Sequence, residues 1–298
     1  MSIEDLRAQN VSPKEIRVME EFESSINREF SRFTLVVENG HITEVYLSQG
    51  DIDYNGEVYI HALPNRIGDL QWLRKIIIMD NELEDLPDSF CDLKSLEEVD
   101  FSDNPITTLP ANFGDLVSLK ELRICHNGSA LKYLDKRLRK LPASFGNLKS
   151  LARLYLPDNH LETLPQSFGK LQSLKLLDLS ANRLTNLPES FGGLTSLEDL
   201  QLSGNRLTRL PTSFGRLQSL MTAGLGGNEI TELPASIGDL ASIQDLNLGW
   251  NPLVNLPEAL LELSSLKRMT LGTSQLTSSA KRILERLVWV TVEETDSQ

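Results

Sequence analysis

Histidines, cysteines and glycine-rich segments are the parts of this chain whose chemistry could support catalysis or metal binding. Four histidines are scattered and share no spacing typical of a metal site: His41, His61, His126 and His160. The run Gly224-Leu-Gly-Gly227 is rich in glycine, but the Lys-Ser/Thr pair of a phosphate-binding loop does not follow it. No Ser, Cys or Lys stands in a nucleophile motif. We therefore expect no enzyme activity, no cofactor, and no catalytic, cofactor-binding or metal-binding residues. The alternative is an enzyme whose site no motif marks, which turnover abolished by one substitution would establish.

The elements that position these residues follow from a repeat. Nine Leu-Pro dipeptides recur in phase, at intervals of 23 residues from Leu63 to Leu109 and again from Leu141 to Leu256. A fixed period in this range predicts a solenoid of stacked coils, in which each coil contacts only its neighbours. A solenoid offers a long open face and no deep cleft, which favours macromolecular partners over small-molecule chemistry.

The aligned repeat reads L-x-x-L-x-L-x-x-N-x-L-T-x-L-P-x-x-F-G-x-L-x-S, and its fullest copies are 174–196 and 197–219. It resembles the leucine-rich repeat family over about residues 42–276. The 23-residue spacing and the LPxxFG segment are similar to the intracellular Ras-group class of that family. The resemblance implies an α/β fold, a right-handed solenoid (horseshoe) with a parallel concave sheet and about ten coils.

Each recurring position of the repeat has a structural role that its chemistry predicts. Alternating leucines near the start of the repeat are typical of a short strand with one buried face. The asparagine after each central strand needs partners for a buried amide, which predicts a ladder of bonds to the neighbouring coil. The phenylalanines predict a buried spine, and the glycine after each one predicts either crowding or a positive φ.

The two ends of the stack need covers, because an uncapped solenoid would expose a row of leucines. We predict an N-terminal capping segment, 1–41, with an amphipathic helix over about 13–32 that begins in a capping box at Ser12. The repeats occupy 42–276, and a short helical cap and tail follow at 277–298. A partner-binding helix is the alternative for 13–32.

Two coils are longer than the rest, which places insertions near 52–62 and 128–137. The first contains Asn55-Gly56, a hairpin signal. Long departures from a strict repeat often map to a binding face, although tolerated surface loops would look the same.

Composition limits the classes of partner. The net charge is −13, so we expect neither nucleic acid nor a membrane as a partner. The two cysteines, Cys91 and Cys125, fall in repeat positions and do not form the paired caps expected of extracellular members of this family. No signal peptide or membrane span is visible, and together these features predict a cytoplasmic protein.

Charge is unevenly distributed along the chain. The segment from Asp80 to Glu121 carries a net charge of −10, and the segment from Leu122 to Arg153 carries +7. Such a dipolar surface could orient a charged partner, or the two segments could pair with each other. On the outward face of the strands we predict one contiguous partner-binding patch, in which Tyr and Arg are the typical anchors: Glu98, Asp100, Arg123, Arg153, Tyr155 and Asp178. The alternative is that Asp100 and Arg123 only pair across adjacent strands.

These features predict a protein–protein interaction module or scaffold that binds its partner on the concave face. The resemblance to the Ras-group class implies a role in intracellular signalling, with a small GTPase or another signalling protein as partner by analogy alone. A secreted or surface effector that binds host proteins is the alternative.

Overall fold

A computed structural model describes residues 1–26, 34–48, 59–126 and 135–295, and the chain divides into two compact units, Met1–Leu151 and Ala152–Gln298. The first unit contains helices α1 (Ile3–Ala8) and α2 (Pro13–Ile26) and strands β1 (Thr34–Glu38), β2 (His41–Ser48), β3 (Lys75–Met79), β4 (Glu98–Asp100) and β5 (Glu121–Arg123). The second unit contains strands β6 (Arg153–Tyr155), β7 (Leu176–Asp178), β8 (Asp199–Gln201), β9 (Thr222–Gly224), β10 (Asp245–Asn247), β11 (Arg268–Leu271), helix α3 (Ser278–Arg286) and strand β12 (Thr291–Glu294).

Each unit is built from coils of one strand and one return segment. In the first unit β1 pairs antiparallel with β2, and β2 to β5 pair in parallel. In the second unit β6 to β12 pair in parallel in chain order. The register advances by one repeat per strand, so that Leu177 pairs with Leu200 and Leu200 with Ala223. Equivalent residues therefore form straight rows across each sheet.

The return segments of most coils are short 3₁₀ helices that begin directly after the proline of the Leu-Pro pair. Pro165 lies at φ −65° and caps the turn Gln166–Lys170, as expected of a residue whose ring fixes φ and that has no N–H to donate. The predicted aromatic spine is present, since Phe113 and Phe145 stack at 6.0 Å in the first unit and Phe168 and Phe191 at 6.2 Å in the second.

Crowding, and not a positive φ, explains the glycine that follows the spine phenylalanines other than Phe90, which Cys91 follows. A Cβ placed on Gly169 would lie 1.8 Å from the backbone oxygen of Ser190 in the next coil. Positive φ instead occurs one residue before the ladder asparagines, for example at Ala181 (52°) and Gly204 (71°). The left-handed residue turns the chain so that the following asparagine points inward.

The predicted amide ladder is present in both units. In the second unit the Oδ1 atom of Asn205 accepts from Leu184 N at 3.0 Å, and its Nδ2 atom donates to Leu179 O at 2.9 Å. In the first unit Asn104 makes the equivalent bonds to Leu83 N and Ile78 O at 3.0 and 2.7 Å. Each asparagine thus bonds to backbone groups of the preceding coil.

The ends carry structure beyond the repeats. Helix α1 was not anticipated by our sequence analysis, although Ser2 and Asp5 form a complete capping box around its first turn. Helix α2 ends at Ile26, and the remainder of the predicted helix, 27–32, lies outside the described residues. Helix α3 begins after Thr277, whose hydroxyl accepts from Ala280 N. The division into cap, repeats and tail stays a prediction.

The chain enters the repeats through a hairpin that the sequence analysis did not predict. Asn39 and Gly40 adopt positive φ values of 52° and 77° and join β1 to β2. Two consecutive positive φ values are typical of a type I′ turn, for which Asn-Gly is a preferred sequence. The predicted hairpin at Asn55-Gly56 lies outside the described residues, as do 52–58 and 128–134 of the two insertions.

Candidate protein-binding surface

Two rows of outward side chains cross the sheet of the first unit. Backbone pairing aligns one row of residues across β2 to β5: Glu44, Lys75, Glu98 and Glu121. The second row lies two residues further along each strand: Tyr46, Ile77, Asp100 and Arg123. These positions differ in type from coil to coil, whereas the inward leucines, isoleucines and valines between them are buried.

Charges on this face are largely paired with each other. Lys75 Nζ lies 2.9 Å from Glu98 Oε2 and 5.7 Å from the centre of the Tyr46 ring. The Tyr46 hydroxyl donates to Glu44, and burial together with this carboxylate raises the pKa of Tyr46 to about 12. Neighbouring strands therefore present a fixed tyrosine and a fixed ammonium group side by side.

Asp100 and Arg123 are adjacent in the register, and both are held by other groups. Asp100 is 9% exposed, and its carboxylate accepts from Ser102 N at 2.9 Å and from the Ser102 hydroxyl at 2.6 Å. Arg123 donates through Nε to Glu121 Oε1 at 2.5 Å. The Asp100 side chain thus closes the turn after its own strand, in the manner of an Asx turn. Arg123 is partly exposed and is the more accessible of the two.

The second unit carries the other three predicted residues at its first two strands. Arg153 pairs in register with Leu176, and Tyr155 with Asp178. Arg153 is exposed, and Tyr155 is partly exposed. The Asp178 carboxylate accepts from Ser180 N at 2.9 Å and from the Ser180 hydroxyl at 2.6 Å, so it repeats the arrangement of Asp100.

Further along the second unit a glutamine fills the space beside a glycine. Gln201 Nε2 donates to Asp199 Oδ1 at 2.9 Å, and a Cβ built on Gly224 would lie 2.0 Å from Gln201 Oε1. The glutamine therefore covers the space that Gly224 leaves. Near the end of the sheet Arg268 pairs with Asp245 at 3.1 Å.

The structure places Glu98, Asp100 and Arg123 on the sheet face of the first unit and Arg153, Tyr155 and Asp178 on that of the second. Within each unit the three residues lie on adjacent strands. The predicted patch as a whole stays a prediction.

The charged segments meet within the first unit, which supports the alternative that they partly pair. Lys136 Nζ, from the basic segment, lies 2.7 Å from Glu84 Oε1 of the acidic segment. Lys120 similarly lies 2.8 Å from Glu97 within the acidic segment. Part of the charge asymmetry is thereby neutralised at the surface.

Two exposed tryptophans lie outside the predicted patch. Trp72 and Trp250 are 57% and 56% exposed, and Trp250 also has a left-handed φ of 57° at a position where two other coils carry glycine. Both tryptophans interrupt columns occupied by small or polar residues, and this departure from the repeat was the available signal.

The part of the chain that the structure describes gives little support for metal binding, membrane insertion or a reactive thiol. Across residues 1–26, 34–48, 59–126 and 135–295, no group of three or more His, Cys, Asp or Glu side chains could hold a metal ion. Within these same ranges no helix is long and apolar enough to cross a membrane. Burial, with a smaller contribution from Asp115, raises the pKa of the Cys91 thiol to about 12, so this cysteine is a poor nucleophile.

Stacked coils with parallel strands, a buried amide ladder and varied side chains on the open sheet face define a repeat protein whose surface, and not a cleft, is suited to recognition. The family model described as Leucine rich repeat matches residues 71–128, 149–207 and 200–253, more than half of the chain. The chain therefore belongs to the leucine-rich repeat family, whose members are typically non-enzymatic modules for protein–protein interaction. A comparison with curated protein sequences gives no match.

Solved structures with the same fold include receptor ectodomains. The leucine-rich repeat ectodomain of the plant membrane receptor kinase GASSHO1/SCHENGEN3 from Arabidopsis thaliana, in complex with CASPARIAN STRIP INTEGRITY FACTOR 2, aligns over 99% of this chain and 35% of its own, with 21% identity and a TM-score of 0.72. The Toll–Spatzle complex of Drosophila aligns over 80% of this chain and 33% of its own, with 23% identity and a TM-score of 0.63. A TDR receptor aligns over 79% and 41%, with 25% identity and a TM-score of 0.61. The chain thus spans between about a third and two fifths of these receptor chains.

Proposed function

We propose that this protein is a recognition module that binds a protein partner through the outward side chains of its strands. The observation that carries the proposal is the register, which aligns residues of varied type in straight rows on the sheet face of each unit. A preformed row of this kind requires little rearrangement on binding, which favours affinity.

The predicted contact residues divide into two groups by their geometry. Arg123, Arg153 and Tyr155 are partly or fully exposed, and side chains of these types often dominate interface energies. Asp100 and Asp178 close turns with Ser102 and Ser180, so their contribution is to shape the surface. Glu98 is held by Lys75 and supplies a directed charge at the rim.

Charge reversal at an exposed arginine tests this proposal. Proteins captured from an extract of the source cells by the wild-type chain are compared with those captured by Arg153→Glu and by Arg209→Glu. Arg209 is also exposed but lies in the turn segment before Leu210-Pro211, away from the strands. A partner retained by Arg209→Glu and lost by Arg153→Glu supports the sheet face. Equal capture of every partner by all three proteins contradicts it.

Within this function we propose an intracellular signalling role in the cytoplasm, with a small GTPase as one partner class. The support is the similarity of the LPxxFG repeat to the Ras-group class and the position of both cysteines within repeats and not in terminal caps. Binding assays with small GTPases loaded with GDP or with a GTP analogue test the partner class, since a signalling adaptor should prefer one nucleotide state.

Fractionation of the source cells tests the location. Recovery from the cytoplasmic fraction supports the proposal. Recovery from the medium or the cell surface contradicts it and favours a secreted or surface effector that binds host proteins.

A further inference from the structure

A cavity of about 560 Å³ lies in the first unit, at the edge of the sheet where β2 to β5 begin. Its walls include Glu38, His41, Trp72, Arg74, Ser95 and Glu97. None of these residues belongs to the two rows of the sheet face. The cavity is therefore separate from the surface assigned to protein recognition, and its volume falls within the usual range for small-molecule sites.

The floor of this cavity is an aromatic pair that the fold fixes in place. Trp72 and His41 stack with ring centres 4.8 Å apart and an angle of 25° between the rings. The Nδ1 atom of His41 lies 3.3 Å from Glu15 Oε2, and Glu15 is only 2% exposed. Glu15 is itself held by the Ser12 hydroxyl at 2.8 Å in the capping box of α2. A helix start thus orients the histidine, and the histidine supports the indole.

Exposure of the indole shows that packing is not its whole role. Trp72 remains 57% exposed although one of its faces has a stacked partner. The equivalent positions in the next two coils are Ser95 and Ser118, small hydroxyl residues that also line the cavity. A large apolar ring bordered by hydroxyls suits a ligand that has both an apolar face and polar edges.

Each carboxylate of the cavity walls is paired with a basic side chain. Glu38 Oε1 lies 2.7 Å from Arg74, and Glu97 Oε2 lies 2.8 Å from Lys120. A cationic ligand would have to compete with Arg74 and Lys120, and an anionic ligand would meet two carboxylates. An uncharged ligand with many hydroxyl groups can donate to the carboxylates and accept from the guanidinium group without separating either pair.

From this geometry we propose that the cavity binds a neutral sugar ring of an oligosaccharide, with the C–H face of the ring against Trp72 and its hydroxyls toward Glu38, Arg74 and Glu97. The preformed aromatic floor lowers the ordering cost of binding. This site is independent of the protein-binding face proposed above.

Calorimetry and saturation-transfer NMR with maltotriose, cellotriose and triacetylchitotriose test the proposal on the whole chain. We expect saturable binding of at least one sugar at millimolar concentration, abolished by Trp72→Ala. The matched control is Trp250→Gly, which removes a tryptophan of equal exposure at a position that carries glycine in other coils. Binding of none of the three sugars, or equal binding by Trp72→Ala and wild type, overturns the proposal.

Two further measurements separate a neutral ligand from a charged one. Binding of a neutral sugar should change less than twofold between about 0.05 and 0.5 M salt, because no net charge is neutralised. The double variant Glu38→Gln/Arg74→Gln keeps hydrogen-bonding groups but removes the charge assistance, and we expect roughly tenfold weaker sugar binding. Tighter binding of guanidinium or carboxylate compounds than of any sugar, lost in Trp72→Ala, would reject the sugar and assign the cavity to a charged ligand.

Discussion

The repeat is regular in the coils between 174 and 219 of the second unit and irregular in the first coils of the chain. In the former, each repeated side chain has a partner one coil away: Asn205 bonds to Leu184 and Leu179, and Phe191 stacks between Phe168 and Phe214. In the latter, His41 and Trp72 depart from the repeat and form a surface cavity. Regular positions hold the stack together, and departures from the pattern shape the cavity at the start of the sheet.

The position after each spine phenylalanine differs between single coils, because it is Cys91 in one coil and glycine in the others, such as Gly169. Burial raises the pKa of the Cys91 thiol from 9.0 to about 12. At a given pH below 9 the thiolate should be about 1,000-fold rarer than for an ordinary cysteine. We expect iodoacetamide to modify Cys91 only when the chain unfolds, as measured by mass spectrometry of the labelled peptides.

Denaturant provides the control for this labelling experiment. In urea Cys91 should react as fast as Cys125, because burial no longer suppresses the thiolate. Rapid modification of Cys91 in the folded chain, with a rate that rises through pH 9, would show that this position is open to solvent.

Adding a side chain at a glycine that follows a spine phenylalanine should lower the free energy of unfolding. The Cβ of Gly169→Ala would lie 1.8 Å from the backbone oxygen of Ser190, which cannot move without shifting a coil. We expect a loss of about 3 kcal/mol in the free energy of unfolding, measured by urea denaturation. Cys91→Ala is the control, since this coil already accommodates a Cβ, and it should cost about 1 kcal/mol. Equal losses of stability in the two variants would mean that the coil of Gly169 accommodates a Cβ as readily as the coil of Cys91.

Breaking the amide ladder should cause the next largest loss in the free energy of unfolding. Asn205→Ala removes both bonds to the preceding coil and leaves the buried Leu184 N–H without an acceptor. This should lower the free energy of unfolding by about 2 kcal/mol. Asn186→Ala is the matched control, because Asn186 is exposed and its amide donates only to the neighbouring Thr185 hydroxyl. A ladder variant no less stable than the control would refute the structural role of the asparagine.

How far the sequence predicted this molecule depends on whether a residue repeats. The period alone was enough to predict the parallel strands, the ladder at Asn104 and Asn205, and the Phe113–Phe145 stack, because each copy constrains the next. The stacking of His41 on Trp72 could not be predicted in this way. Its two members lie 31 positions apart, the offset at which β2 pairs with β3, but the equivalent position in later coils is serine, as at Ser95 and Ser118, so the period carries no signal for an aromatic pair.

The outward row positions lie between these two cases. The register could be predicted, and so could the adjacency of Asp100 and Arg123. Their hydrogen-bond partners could not be predicted. Ser102 competes for the Asp100 carboxylate and Glu121 competes for the Arg123 guanidinium group, and the outcome depends on side-chain conformation. Sequence periodicity determines which residues share a face, and local hydrogen bonding decides which of them stay accessible.

The smallest effect concerns a carboxylate that links two regular coils. Burial opposes the charge on Glu189, but hydrogen bonds from Thr212 and Ser213 of the next coil outweigh it and lower the pKa of this carboxyl below 4.5. A lowered folded-state pKa contributes stability above the unfolded-state pKa, and this contribution is lost as the pH falls through the folded value. Glu189→Gln should therefore destabilise the chain by less than about 1 kcal/mol at pH 7, and the difference from wild type should disappear as the pH falls through the folded-state pKa.

Glu258→Gln is the matched control for this last effect, because Glu258 occupies the same repeat position three coils further on. Its side chain is 80% exposed and contacts Arg286 at 3.5 Å, and within the described residues no backbone N–H of a following coil donates to it. Urea denaturation of both variants at several pH values should show a pH-dependent loss for Glu189→Gln that exceeds that of Glu258→Gln. Identical curves would mean that the carboxylate does not join the coils, and that the regular region is held by its asparagines and phenylalanines alone.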